Sequence, residues 1–267
     1  MNICVCIKQV PDTAEIRIDP ETHTLLRKGV PSIVNPFDLY ALEMALQLKE
    51  KKGGKIYILS MGPLQAENSI KSCLEMGADA GYLISGKSFS GSDTYSTSYI
   101  LSKGIRTVES IENILFDLIL CGKQAIDGDT AQVGPEIAEH LKIPQITCVQ
   151  NLYFDTNILV AEKPSLKGHV LMTTTLPALI TILKSNVPPR CPSLKTKLAA
   201  KKKVISILTE ESLTELDLTK CGLKGSPTKV ISTHVVVEKK QGFIIQNKDS
   251  RDAINALISK LQDDGVF

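Results

Sequence analysis

Apolar residues follow two rhythms along this chain. Residues 1–10, 55–60 and 80–84 read as strands, and 116–121 is a short, mainly apolar run of the kind that a strand covered on both faces shows. Between them apolar residues recur at helical spacing: Tyr40, Ala41, Met44, Ala45 and Leu48, then Ala66, Ile70, Cys73 and Leu74, then Val133, Ile137, Ala138 and Leu141. The first of these helices is punctuated at both ends. Asn35 is a favoured N-cap, Pro36 suits the first helical position, and Lys51-Lys52-Gly53-Gly54 closes it. Gly77 reads as the C′ residue of the second. Residues 16–26 alternate weakly around Pro20 and predict a hairpin excursion. After Leu141, residues 143–148 start another strand, and 157–161, 170–174 and 179–183 read as antiparallel pieces. Strands alternating with helices up to about residue 150 predict an α/β fold, a doubly wound parallel sheet with antiparallel additions. Beyond residue 207 the rhythm is lost. A turn-rich arm (223–230), a strand-like piece (233–237) and a terminal helix with Ala253, Leu257, Ile258 and Leu261 on one face follow. The pattern divides the chain into an α/β domain, 1–207, and a C-terminal arm and helix, 208–267. The apolar face of that helix has little core left to meet and is expected to pack on another subunit.

Composition narrows the function classes. At 267 residues with 43% hydrophobic content the chain can bury a full core. A net charge of +2, an aromatic content of 4% and no Trp argue against a nucleic-acid partner. No apolar run reaches membrane-spanning length, and the strand-like start shows no signal-peptide pattern, so a cytoplasmic protein without a membrane role is expected. The seven cysteines are scattered among apolar neighbours and read as buried thiols in a reducing compartment. Neither they nor the four dispersed histidines have metal-site spacing. No Ser–His–Asp order and no acid/base carboxylate pair stands out, so no catalytic residue is assigned. A chain of this kind leaves the chemistry to a cofactor.

Two small-residue loops suggest which cofactor. Residues 121–134 run Cys-Gly-Lys-Gln-Ala-Ile-Asp-Gly-Asp-Thr-Ala-Gln-Val-Gly between a strand and a helix. A loop entering a helix N-terminus presents unpaired N–H groups to an anion, and Gly128 and Gly134 let a ligand approach the main chain. Residues 89–98, Phe-Ser-Gly-Ser-Asp-Thr-Tyr-Ser-Thr-Ser, form a second such loop. Gly91 offers backbone access there, and the hydroxyls of Thr94 and Thr97 suit phosphate. Together the loops point to an adenine nucleotide with a diphosphate. Asp93, Asp127 and Asp129 sit awkwardly beside a phosphate. They fit as acceptors for ribose or ribityl hydroxyls or as helix caps, with Lys123 offsetting their charge. No Gly-x-Gly-x-x-Gly follows the first strand, so the usual dinucleotide fingerprint is missing.

The run from Gly122 to Gly134 resembles the nucleotide motif of the electron transfer flavoprotein beta subunit. Asp127-Gly128-Asp129-Thr130 and Gly91-Ser92-Asp93-Thr94 are similar to the electron-bifurcating branch, whose beta subunit holds FAD where ordinary members hold AMP. The resemblance extends from Lys8-Gln-Val-Pro-Asp-Thr13 to Gly225-Ser-Pro-Thr228 and implies an adenine nucleotide alpha hydrolase-like fold. It implies that Cys6 lies against the adenine and that Asn35, Pro36, Phe37 and Asp38 touch the adenosine. Met61, Gly62 and Phe89 join this expected site, with Gly91, Asp93, Thr94 and Thr97 from one loop. The other loop contributes Gly122, Lys123, Ala125, Ile126, Asp127, Gly128, Asp129, Thr130, Ala131, Gln132, Val133 and Gly134.

A second surface is expected to meet a partner. Residues 164–209 contain no Asp or Glu but many Lys and Arg, and include the proline-rich run from Asn186 to Lys195. This segment, near 186–203, resembles the family's recognition loop, in which a Leu anchors into an acyl-CoA dehydrogenase; Leu194 is the candidate. Family members usually carry Tyr where this chain has Cys191. The C-terminal arm would embrace the alpha subunit of a heterodimer. The resemblance thus implies a subunit whose FAD takes a hydride from NADH. One electron would go to ferredoxin or flavodoxin, the other through the alpha-subunit FAD to the acyl-CoA dehydrogenase. A conventional member with structural AMP, and a nucleotide-sensing module without redox function, are the alternatives.

Overall fold

The computed structural model describes residues 1–12, the backbone of 17–18 and 25–26, and residues 31–156, 158–229, 231, 242, 244–246 and 249–266. The chain divides into a large unit, Met1–Ile231, and a small one, Ser232–Phe267.

In the large unit, β1 (Asn2–Ile7) leads to β2 (Gln9–Pro11), the short pair β3 (Arg17–Ile18) and β4 (Leu25–Leu26), and β5 (Ser32–Val34). The antiparallel pairing of β3 with β4 forms the hairpin expected there; Ile16 and Pro20 lie outside the described residues. Next come α1 (Pro36–Lys52), β6 (Lys55–Met61), α2 (Glu67–Met76), β7 (Ala80–Ile84), α3 (Thr94–Glu112), β8 (Leu118–Gly122) and α4 (Val133–Leu141). β9 (Gln145–Val149), β10 (Asn151–Asp155), β11 (Ile158–Ser165), β12 (Gly168–Thr174) and β13 (Ala178–Ile182) follow, then α5 (Leu194–Ala200), β14 (Ile205–Leu208) and α6 (Gly222–Gly225).

Seven strands form a parallel sheet in the order β14-β7-β6-β1-β8-β13-β9. From β1 the chain winds outward through β6 and β7, then returns to place β8 on the other side of β1. The strand order therefore reverses between β1 and β8, where α/β sheets bind ligands beyond their strand ends. Alternation along β1 covers both faces: Ile3, Val5 and Ile7 join the core under α1 and α2, while Cys4 and Cys6 join the core under α3 and α4.

The structure corrects several sequence expectations. Residues 179–183, read as antiparallel, belong mostly to β13, a parallel strand inserted between β8 and β9. All of β13 is buried, and an apolar run buried on both faces carries no alternation to mark its partners. β14 adds a seventh strand that the fading rhythm near residue 207 concealed. Asn35 occupies the N-cap of α1 but makes no side-chain cap bond. The break in rhythm at 207 and the structural division at 231/232 are also different boundaries. Residues 208–229 fold with the large unit, where Cys221 and Leu213 enter its core. The strand expected at 233–237 and residues 157 and 230 lie outside the described residues.

In the small unit, α7 (Ser250–Asp263) begins at Asp249, whose side chain accepts from the Arg251 N–H at 2.8 Å. Its apolar residues Ile254, Leu257 and Ile258 fall on one face, and none is buried. Among the described residues no helix is long and apolar enough to cross a membrane.

Candidate functional site

A cleft of about 410 Å³ opens where the strand order reverses. Cys6, Ile7 and Lys8 at the end of β1 form one wall, and Cys121, Gly122 and Lys123 at the end of β8 the next. Met61, Phe89, Leu101 and Val133 make its apolar lining. The two small-residue loops face each other across it. Gly91, Asp93, Thr94 and Thr97 come from one, and Ala125, Gly128, Thr130, Ala131, Gln132 and Gly134 from the other.

The loop after β8 is held at its root by α1. Asn35 donates to the Gln124 carbonyl at 2.8 Å, and the Ile126 N–H donates back to Asn35 Oδ1 at 3.2 Å. This explains the missing helix cap: the Asn35 amide fastens a loop some 90 residues away in place of α1's own N–H groups. Asp38 is buried one turn further on. Its carboxyl accepts from the Lys8 N–H (2.7 Å), the Gly122 N–H (3.1 Å) and the Asn35 amide (2.9 Å). Burial nevertheless pushes its pKa up to about 7, against those three donors. A Cβ on Gly122 would lie 2.3 Å from Asp38 Oδ1 and 2.7 Å from Phe37 Cβ, so this glycine is needed for packing against α1.

Further along, the loop is poor in side chains and unusual in backbone. Asp129 and Ala131 have φ of 51° and 56°, a left-handed conformation that costs an L-residue roughly 1–2 kcal/mol. Gln132 returns to helical dihedrals and begins α4 without any side-chain cap bond. Left-handed residues leading into a helix with no side-chain cap are features that anion-binding loops share. A Cβ on Gly128 would meet nothing within 4 Å, whereas one on Gly134 would lie 2.7 Å from Thr181 Cγ2. Gly128 leaves open space at the cleft, and Gly134 lets α4 sit close to β13.

The three aspartates that seemed misplaced beside a phosphate all have protein donors. Asp127 pairs with Lys8 Nζ at 2.8 Å, and Asp129 accepts from the Gln124 amide. Asp93 caps α3 through the Ser96 N–H (3.0 Å) and also accepts from the Thr228 N–H (2.8 Å). Burial opposes ionisation of Asp93, but these donors outweigh it and hold its carboxyl below its ordinary pKa. The same loop receives the arm after α5. The Gly222 N–H donates to Ser92 Oγ, the Leu223 N–H to the Ser90 carbonyl, and Ser226 Oγ accepts from the Asp93 N–H. Only glycine fits at 222: its φ is +61°, and a Cβ would lie 2.2 Å from the Ser88 carbonyl oxygen.

Thr94 donates its hydroxyl proton to Glu136 Oε1 at 3.1 Å, leaving Thr94 Oγ1 only acceptor capacity toward the cleft. Glu136 Oε2 is buried without a hydrogen-bond partner among the described residues. Hydrogen bonding to Cys6, then burial, pushes the Cys4 and Cys121 thiols well above their ordinary pKa, so both stay protonated. No group of three or more His, Cys, Asp or Glu among the described residues is placed to hold a metal.

Most of the expected site residues therefore meet at one cleft. Pro36, Phe37, Gly62, Ile126, Asp127 and Asp129 do not line it. Pro36 opens α1, Phe37 abuts Gly122, the Gly62 N–H pairs with the Ile84 carbonyl, and Ile126 turns its N–H to Asn35. Sequence reasoning missed Ile7, Lys8, Ser92, Leu101, Cys121 and Gln124 as lining residues. Two signals could have found some of them. Leu101 falls four residues after Thr97 and seven after Thr94, on one helix face. Ile7 and Lys8 end the first strand, next to the place where the strand order turns back.

Comparison with known proteins follows the same line. The family model described as the electron transfer flavoprotein domain matches residues 22–213. The electron transfer flavoprotein subunit beta of Thermoanaerobacterium thermosaccharolyticum is 47% identical over 262 residues, covering 98% of each chain. That of Clostridium acetobutylicum is 44% identical over 264 residues, covering 99% of each. Subunit CarD of the caffeyl-CoA reductase–Etf complex of Acetobacterium woodii is 40% identical over 268 residues, covering 100% of each.

Proposed function

The chain belongs to the electron transfer flavoprotein family as a beta subunit, and from that premise we propose that its cleft holds FAD in a bifurcating complex. The observation that carries the reading is the pair of facing loops, Gly-Ser-Asp-Thr at 91–94 and Gly-Asp-Thr at 128–130, at the point where the strand order reverses. Gly128 and the uncapped start of α4 suit a pyrophosphate, which needs bare backbone and unpaired N–H groups. Thr94, with its proton given to Glu136, suits a ribityl or ribose hydroxyl donor. The apolar side formed by Met61, Phe89 and Leu101 suits a planar ring. Bound flavin would supply two-electron acceptance from NADH and one-electron transfer to separate acceptors.

The protein's part is to position and insulate. Asn35 and Asp38 fix the root of the loop after β8, and Asp93 with the arm at 222–228 fixes the loop before α3. In this reading the chain forms a heterodimer with an alpha subunit. It passes one electron to ferredoxin or flavodoxin and the other, through the alpha-subunit FAD, to an acyl-CoA dehydrogenase docked at Leu194. The Acetobacterium relative is a subunit of a caffeyl-CoA reductase–Etf complex, which supports a partner that acts on CoA thioesters.

Flavin counting tests the proposal. The heterodimer purified with its alpha subunit is expected to release two FAD, and anaerobic NADH is expected to bleach both. One FAD accompanied by one AMP would overturn bifurcation in favour of a conventional member.

A further inference from the structure

The loop from Lys184 to Pro192 has no secondary structure, yet it leads into α5, where Leu194 and Leu198 are 75% and 52% exposed. Among the described residues, every hydrogen bond joining 184–192 to another element runs through Arg190. Its backbone N–H and Nε both reach Glu43 Oε2, at 3.0 and 2.8 Å, and Nη2 reaches Glu43 Oε1 at 2.9 Å. Nη1 bonds to Glu50. Glu43 is 4% exposed and also accepts from Gln47. Burial opposes its ionisation, but the bonds from Arg190 outweigh that and hold its carboxyl below the ordinary range. The other end of α5 is fastened separately, by buried Ala200 and by Lys203, whose ammonium bonds to the Ala78 carbonyl.

We infer that Arg190 is the positioning residue for the Leu194 surface: clamped by Glu43 and Glu50 of α1, it presets the loop before a partner arrives. The inference rests on the reading of Leu194 as the docking residue. A planar guanidinium making bidentate bonds to one buried carboxylate fixes direction as well as distance, which a lysine cannot do. Ordering the loop in advance removes an entropic cost from docking. It also sets Arg190 apart from Lys195, Lys197, Lys201 and Lys202, which are exposed on and beside α5.

The test is amide hydrogen exchange on the full heterodimer, with R190K as the main variant and E50Q to remove only the outer arm of the clamp. R190K is expected to speed exchange across 186–193 about tenfold, the equivalent of losing one bidentate pair, while β1 and β8 keep wild-type protection. E50Q is expected to give a smaller change in the same residues. With a purified acyl-CoA dehydrogenase as probe, R190K should raise KM for the dehydrogenase and leave kcat unchanged. Unchanged exchange in R190K, a rise shared by the whole sheet, or a loosened loop with unchanged KM would each overturn the clamp when L194A does raise KM. If L194A leaves KM untouched while R190K still loosens the loop, the docking reading falls and the clamp stands.

Discussion

The two cleft loops carry nearly the same letters, Gly-Ser-Asp-Thr at 91–94 and Gly-Asp-Thr at 128–130, and use them in opposite ways. In the first, Asp93 caps its helix and binds the arm through Thr228, so the loop is fixed by side chains from both directions. In the second, Asp129 turns back to Gln124, α4 starts uncapped, and Asp129 and Ala131 adopt left-handed backbone. Helix ends need partners for their first N–H groups. The first loop supplies its own, and the second leaves the start of its helix without a side-chain cap. Strain held in an otherwise well-packed structure is a mark of a binding loop. The lesson is that a short motif fixes residue types, while the surrounding fold decides whether they serve the protein or its ligand.

The largest effect tests the root of the second loop. The Asp38 carboxyl has a folded pKa of about 7, raised above the unfolded value. It therefore contributes stability that is complete below about pH 4 and is lost as pH rises through 7, up to about 4 kcal/mol. Urea midpoints measured from pH 4 to 8 should show this decline. D38N should flatten it, although the Lys8 N–H then loses its acceptor.

A smaller effect separates the two glycines of that loop. G134A should lower stability by about 1–3 kcal/mol through the clash with Thr181, read as a fall in Tm. G128A should leave Tm in place and weaken flavin retention on gel filtration, because the added methyl enters open space. The reverse result would reassign which glycine faces the ligand.

The aspartate contrast comes next. D93A should cost about 1–2 kcal/mol as a lost cap and expose Lys224 and Lys229 to trypsin as the arm loosens. D129A should do neither; equal losses in both variants would erase the difference between the loops. Smallest is A131G, expected to gain up to about 1 kcal/mol by relieving the left-handed alanine, checked by chemical denaturation.

Much of this was legible along the chain because it is local. The strand at Ala80–Ile84, the stop at Gly77 and the helix start at Pro36 each depend on neighbours a few residues away. The cleft was legible too, since glycines and hydroxyls between a strand and a helix have few other uses. What escaped depends on distant partners. The Asn35 side chain looks like a cap until Gln124 and Ile126 are placed beside it. Gly222 looks like any turn glycine until Ser88 stands against it. β13 gave no hint of its neighbours, because a strand covered on both faces has no polar side to orient it.

Helix α1 has a consequence for how the protein can change. Asp38 stands in its first turn, while Glu43 and Glu50 lie two turns apart on one side of it, along a rod about 25 Å long. The cleft end and the Arg190 end of the helix are thus measured from one ruler. A slide of the helix by a single turn to suit a different ligand would carry both glutamates away from Arg190. Retuning one end in evolution or by engineering therefore demands substitutions in side chains, with the backbone of α1 left where it is.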